Sequence, residues 1–482
     1  MVSNTTNKEL IQMLIPSITA ICQLERNLHN SLTMMMKGVE MMGKWKSALG
    51  LFTVLLLGTV LITQEMDVET NAADKQEKGS LVIVGGALSP DNAEVYDAFL
   101  SLAMDYRNKP KEEVKIGIMP TASATPVQSA TSYKEDFIRY GADEENIEIL
   151  PIAVSDDPST EEDEAKWKDG ANDEKLAEQV KKYDAIWFVG GNQLDYTDTL
   201  LANGKDTPVL ASIRENYSNG AVLGGSSAGA AVMSDPMIGA GTSIGALNQG
   251  VTNEDNYGDA EDNRVFLTDG LGFFEAGMVD QHFVKRGRFG RLIVGAWDAG
   301  NEMGYGIDEN SAMIVHNDNQ SIEVIGESGL VIVDLSNAKK TKEYPTAMKD
   351  VTISYIEKGD LYFWDSKTYQ ITEDKPLIEQ PYYPESTTNT GVFGEDALKQ
   401  VLTYDLVDSD SDEAVGLAYE LTDEKKGEGF KLVFSEVDQT RGYWGKIDGV
   451  ESYAAINVSL DIIPMEIKLK VDKVNEKKME KF

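Results

Sequence analysis

The chain has 482 residues, 41% of them apolar and 26% charged, the composition of a soluble globular protein of two or three domains. Its net charge of −37 excludes a surface that binds nucleic acid or anionic lipid, and such a surface attracts a cationic polymer or peptide. With one cysteine (Cys22) and three histidines (His29, His282, His316), no intrachain disulfide, thiolate metal site or zinc site is expected.

Lys44 and Lys46 precede an uncharged run of 15 residues at 48–62. The run falls short of the roughly 20 residues that a membrane span needs and fits the core of a secretory signal. Thr70, Ala72 and Ala73 offer cleavage points, and Met36, Met41 or Met42 offers a later start. Residues 1–76 are therefore expected to be a leader that sends the rest outside the cytoplasmic membrane. The product is then secreted or, if the leader stays uncleaved, anchored on the outer face; contact with a membrane is expected only through this segment.

From residue 80 onward, apolar strands alternate with helical stretches. Strands are predicted at 81–84, 115–119, 147–152 and 185–189, and a helix at 92–107. This alternation predicts an α/β fold with a doubly wound, mostly parallel sheet, in which ligands collect at the carboxyl ends of the strands. Gly85-Gly86 and the segments 120–123, 190–193 and 225–229 all fall at such ends. The acidic insertion at 156–174 reads as a solvated loop or helix.

Gly225-Ser226-Ser227-Ala228-Gly229 follows the apolar run Ala221-Val222-Leu223 and leads into a run of small residues. Gly-x-Ser-x-Gly between a strand and a helix is the nucleophile-elbow pattern. Its glycines allow a sharp turn, the Ser227 hydroxyl stands at the helix N-terminus, and the Ala228 amide points to where an oxyanion forms. Gly241-Thr242-Ser243-Ile244-Gly245 fits the bare pattern too, but no strand precedes it and 247–250 makes a poor helix; Ser243 is read as loop.

Asp280-Gln281-His282-Phe283 is followed by Arg286, Arg288 and Arg291, three of the nine arginines in a chain with 35 lysines. Arginine grips carboxylates in a planar, two-pronged way, and in a helix Arg288 and Arg291 would share a face. His282 is the candidate base, because His29 lies in the leader and His316 reads as a turn residue. An orienting acid is expected from Gly306-Ile307-Asp308-Glu309-Asn310, where Asp308 and Glu309 stay equally eligible. Short β segments are predicted at 305–307, 312–315, 321–325, 330–333, 351–356 and 362–364. The polar stretch 375–390, with Pro376, Pro381 and Pro384, reads as a linker. Residues 391–482 read as a small α+β accessory domain, with a helix at 395–404 and strands at 431–435 and 453–459, and no motif that carries chemistry.

Together, Gly-Ser-Ser-Ala-Gly, Asp-Gln-His-Phe with its arginine triplet, and Gly-Ile-Asp-Glu resemble cyanophycinase. That serine peptidase family is related to dipeptidase E and has a fold similar to class I glutamine amidotransferases. The resemblance includes Gly190-Gly191-Asn192-Gln193 and Lys358-Gly359-Asp360, and it makes 77–374 the expected catalytic domain. It implies Ser227 as nucleophile, His282 as base, Glu309 as orienting acid, and Gly191 and Ala228 as oxyanion donors. It further implies a substrate pocket of Gln193, Asp280, Gln281, Arg286, Arg288 and Arg291, with no cofactor and no metal. The implied substrate is cyanophycin, a polyaspartate backbone with arginine on each side-chain carboxyl, cut to β-aspartyl-arginine dipeptides. The alternatives are a dipeptidase E-like peptidase acting on aspartyl dipeptides or other acidic peptides, and a secreted, non-enzymatic polymer-binding protein. A homodimer is left open.

Overall fold

The computed structural model describes residues 78–469 apart from 260, 342, 343 and 345; the leader, with its signal run, His29 and Cys22, lies outside the described residues. Five strands come first: β1 (Leu81–Val84), β2 (Ile116–Met119), β3 (Ile147–Ile149), β4 (Ala185–Phe188) and β5 (Val222–Ser226). They pair in parallel in the order β1-β5-β4-β2-β3. Leu81 and Ile83 face one apolar layer, with Phe188 and Leu223. Val82 and Val84 face the other, against Tyr96 and Phe99 of the helix Ala93–Arg107 and Phe137 of the helix Pro126–Arg139. Burial on both faces is why these strands read as unbroken apolar runs.

The chain then leaves this sheet. β6 (Met237–Ala240), β7 (Val251–Thr252) and β8 (Val265–Thr268) form a separate three-stranded sheet, and β9 (Met278–Asp280) and β10 (Met303–Ile307) begin a second large one. β11 (Ser311–His316) and β12 (Ser321–Gly326) return to the first sheet, with β11 antiparallel to β1. β13 (Gly329–Asp334), β14 (Lys339–Lys340) and β15 (Met348–Glu357) extend the second sheet, whereas β16 (Leu361–Phe363) and β17 (Thr368–Gln370) complete the first. The β segments expected after 304 are thus dealt between two sheets. Apolar residues of both, such as Ile83 and Ile332, share one core.

The C-terminal part corrects the expected domain plan. β18 (Glu413–Leu421), β19 (Lys426–Ser435), β20 (Arg441–Ile447) and β21 (Val450–Lys468) do not stand apart. β21 pairs antiparallel with β15, giving one sheet in the order β18-β19-β21-β15-β13-β10-β9. Phe430 and Phe434 pack in the same core as Ile353 and Leu292. Residues 375–390 are no free linker either: the Ile378 amide donates to Gly442 O, and Lys375 pairs with Asp360 at 2.5 Å with both side chains 0% exposed. An interior ammonium survives only because a carboxylate matches it, so removing one partner strands the other. Lys375→Ala is expected to lower the unfolding free energy by about 3 kcal/mol in denaturant titrations. A change within about 0.5 kcal/mol would be the behaviour of an exposed linker residue instead.

Candidate active site

The site forms where β1 ends. The successive carbonyls of Val84, Gly85 and Gly86 accept hydrogen bonds from the amides of Ser227 (3.1 Å), His282 (2.7 Å) and Asn310 (2.9 Å). One strand end thereby gathers three segments that are distant along the chain. Ser227 Oγ lies 2.8 Å from His282 Nε2, and His282 Nδ1 lies 2.5 Å from Glu309 Oε1. Glu309, not Asp308, faces the imidazole. Asp308 is buried and accepts from the Lys285 amide (3.0 Å) and the Ser328 hydroxyl (2.8 Å). The Asn310 side chain accepts from the Ser89 amide and from Asn92 Nδ2, tying the loop after β1 to the strand end that carries Glu309. Sequence reading missed this pair; its one signal was Asn92 at the start of a predicted helix.

Ser227 joins β5 to the short helix Ala228–Ala231 with φ 56° and ψ −108°, outside the left-handed well. A non-glycine residue held there stores about 1–3 kcal/mol of strain, a hallmark of functional turns. Its side chain does not cap its own helix and is left to His282. The Ala228 amide, at the first helical position, has no intrahelical acceptor. The turn needs Gly229, where a methyl group would lie 2.2 Å from Phe188 O. Gly190 packs against Ser227, since a methyl there would lie 3.2 Å from Ser227 Cβ, and Gly191 follows it with φ 146°. At Gly86, with φ 110°, a methyl would lie 2.4 Å from His282 Nε2, so only glycine leaves room for the imidazole.

Ser243 is corrected from loop to helix. It opens the helix Ser243–Gln249, with Thr242 Oγ1 accepting from the Gly245 amide. Its own hydroxyl donates to Gly287 O (2.6 Å) and accepts from the Arg291 amide (3.2 Å). This hydroxyl is committed to backbone.

His282 is only 7% exposed, and burial pushes its imidazole down to about 4; the Glu309 carboxylate opposes the shift, and Arg286 and Arg288 add to it. At neutral pH the ring is uncharged. Its Nδ1–H donates to Glu309, leaving Nε2 to accept from the Ser227 hydroxyl.

The remaining sequence-predicted residues divide into two groups. Arg286 is half exposed, with Nε 3.6 Å from Glu309 Oε1. Arg288 donates to Gln281 O at 2.8 Å; burial and then the Arg291 guanidinium press it down to about 9, so it stays charged at neutral pH. Both act electrostatically on the His282 imidazole. Arg291 is fully engaged instead. Its Nε and Nη2 donate to Asp280 (2.8 and 2.6 Å), its Nη1 donates to Gly241 O (2.7 Å), and its side chain is 5% exposed. Asp280 and Arg291 thus form a buried fork that ties β9 to the helix Phe289–Ala299. Arg288 is the N-cap of that helix, and its Nη1 lies 3.7 Å from the same Asp280 Oδ1 that Arg291 Nη2 reaches at 2.6 Å, so the two arginines converge on one carboxylate. Gln193 is also occupied, donating to the carbonyls of Ile238 and Gly239. Gln281 keeps a buried Oε1 with no hydrogen-bond partner among the described residues.

Residues 82–323 match peptidase family S51. The chain belongs to that family. It is accordingly a serine-type peptidase, and the non-enzymatic alternative falls away. The chain is 29% identical over 301 residues to a cyanophycinase of Geminocystis herdmanii, a match covering 61% of this chain and 96% of that protein. It is 27% identical over 299 residues to a cyanophycinase of Trichormus variabilis, covering 60% and 87%. Among solved structures, a peptidase from an acI-B1 Actinobacterium is 22% identical with a TM-score of 0.39, covering 54% of this chain and 91% of that one.

The imidazole's environment makes a signed prediction. Arg286 disfavours the protonated ring, so Arg286→Gln is expected to raise the His282 midpoint above the wild-type value of about 4 in an NMR titration of the ring protons. A wild-type midpoint near the ordinary 6.5, or a downward shift in the variant, would contradict this electrostatic account.

Proposed function

We propose that the protein hydrolyses backbone amides of cyanophycin and releases β-aspartyl-arginine dipeptides, with Ser227 as nucleophile, His282 as general base and Glu309 as orienting acid. The observation that carries the reading is the 2.8 Å contact between Ser227 Oγ and His282 Nε2, with Glu309 behind the ring. Ser227 Oγ attacks the carbonyl carbon while its proton passes to Nε2. The carbonyl oxygen takes up the negative charge, held by the amides of Ala228 and Gly191, about 3 kcal/mol for one donor. Collapse breaks the C–N bond, and the imidazolium returns its proton to the leaving amine. Water, deprotonated by the same Nε2, then attacks the acyl ester and frees Ser227. Glu309 holds the tautomer and stabilises the imidazolium throughout.

Three features support the polymer as substrate. The curated relatives are cyanophycinases, and the half-exposed Arg286 leaves a cationic group beside the triad for a free carboxylate of the substrate, while Arg288, 3.7 Å from Asp280 Oδ1, adds positive charge near the imidazole. In this reading the Asp280–Arg291 pair serves by holding the frame. The net charge of −37 also favours the approach of an arginine-bearing polymer. The reading extends to location: the run at 48–62 behind Lys44 and Lys46 supports action outside the cytoplasmic membrane. Recovery of the protein only from the cytoplasm of its host would end that part.

Purified protein incubated with insoluble cyanophycin is expected to release soluble β-aspartyl-arginine, identified by mass. Ser227→Ala and His282→Ala are each expected to lower that rate by about four to six decades, and His316→Ala to leave it unchanged. Dipeptide release by Ser227→Ala at the wild-type rate would refute the serine mechanism. Cleavage of aspartyl dipeptides alone, with the polymer left intact, would replace the substrate assignment.

A further inference from the structure

The proposed chemistry gives no role to the segment after residue 391, which lies beyond the S51-matched span of 82–323. That segment nevertheless presses on the turn that follows His282. The Phe393 main chain crosses Gly287 so closely that a methyl on Gly287 would lie 2.1 Å from Phe393 O. Its ring packs tilted against Phe289 with centroids 4.8 Å apart, and its edge fills the space above Gly290, where a methyl would meet Phe393 Cζ at 2.9 Å. The Asp396 amide donates to Val284 O at 3.2 Å. Lys285 Nζ pairs with Glu395 Oε1 and lies 3.8 Å from Asp396 Oδ2.

The opposite side of the same turn is held just as firmly. Asp308 Oδ1 accepts from the Lys285 amide, and Ser243 Oγ donates to Gly287 O. The turn is therefore clamped between the strand end that presents Glu309 and the segment 393–396. The helix Ala397–Leu402 continues that segment, and its Lys399 Nζ donates to Glu357 Oε1 at 2.5 Å, anchoring it to β15.

We infer that residues 393–399 form a strap that positions His282 for proton transfer from Ser227, with Phe393 as its principal positioning residue. The C-terminal part of the chain is then a working component of the catalytic site and not a detachable attachment module. The inference rests on the reading of His282 as general base. The charged groups acting on the imidazole are Glu309, Arg286 and Arg288, and none of them lies on the strap. Truncating Phe393 thus leaves the local charges in place and acts through position and burial. Burial is the main reason the ring resists protonation, and a loosened turn admits water to it.

The test compares Phe393→Ala and Phe393→Leu in the full chain, reading the His282 midpoint by NMR together with kcat and KM on cyanophycin. Phe393→Ala is expected to lose about a hundredfold in kcat with KM little changed, and its His282 midpoint is expected to climb from about 4 towards the ordinary value. Phe393→Leu is expected to restore most of both. A folded Phe393→Ala with an unchanged midpoint and an unchanged kcat overturns the inference, even if its thermal stability falls. If that variant does not fold, Phe393→Val carries the same test with the same two outcomes. The titration needs no turnover, so a wild-type protein inert towards cyanophycin would sink the proposed function while the midpoint still decides the strap.

Discussion

The end of β1 is the constraint on which the rest of the site depends. Three consecutive carbonyls there hold the backbones of Ser227, His282 and Asn310, and β1 is itself locked between β5 and β11 with all four residues fully buried. Buried carbonyls demand partners, and here the partners are the segments that carry a hydroxyl, an imidazole and, one residue before Asn310, a carboxylate. The rigidity of the core reaches the triad through three hydrogen bonds. Support of that kind gives a site its tolerance of fractions of an ångström.

The arrangement concentrates unfavourable terms that the core must offset. Ser227 sits in a strained conformation, His282 has φ 48°, and its imidazole is buried uncharged. The protonation sign follows from burial: the folded ring resists a proton that the unfolded chain takes up near its ordinary pKa of about 6.5. The contribution of this residue to stability is therefore present above that pH and is lost as pH falls through about 4. A site built this way trades stability for an imidazole that stays neutral beside the Ser227 hydroxyl. The Asp280–Arg291 fork serves the same end, spending charge to join β9 and the following helix instead of facing solvent.

The parts legible in the sequence were those with local causes. The parallel strands announced themselves because both faces are buried, and the elbow at 225–229 because glycines are required where main chains touch. The scarcity of histidine singled out His282, whose imidazole faces Ser227. What stayed hidden depended on distant partners. Asp308 and Glu309 differ only in which side of a strand end they leave, so composition left both open. Arg291 looked like a pocket residue, yet its acceptors are a carboxylate eleven positions upstream and a carbonyl in another sheet's loop. Residues 375–390 imitate a linker in composition, while the pairing of β21 with β15 that binds them into the body leaves no local trace.

The central claim is that Ser227 is made nucleophilic by His282. Mass spectrometry of the protein after exposure to a fluorophosphonate tests it most directly. The account predicts one adduct per chain, on the peptide that contains Ser227, and none in His282→Ala. An adduct on Ser243, or full labelling of Ser227 without the imidazole, would contradict it.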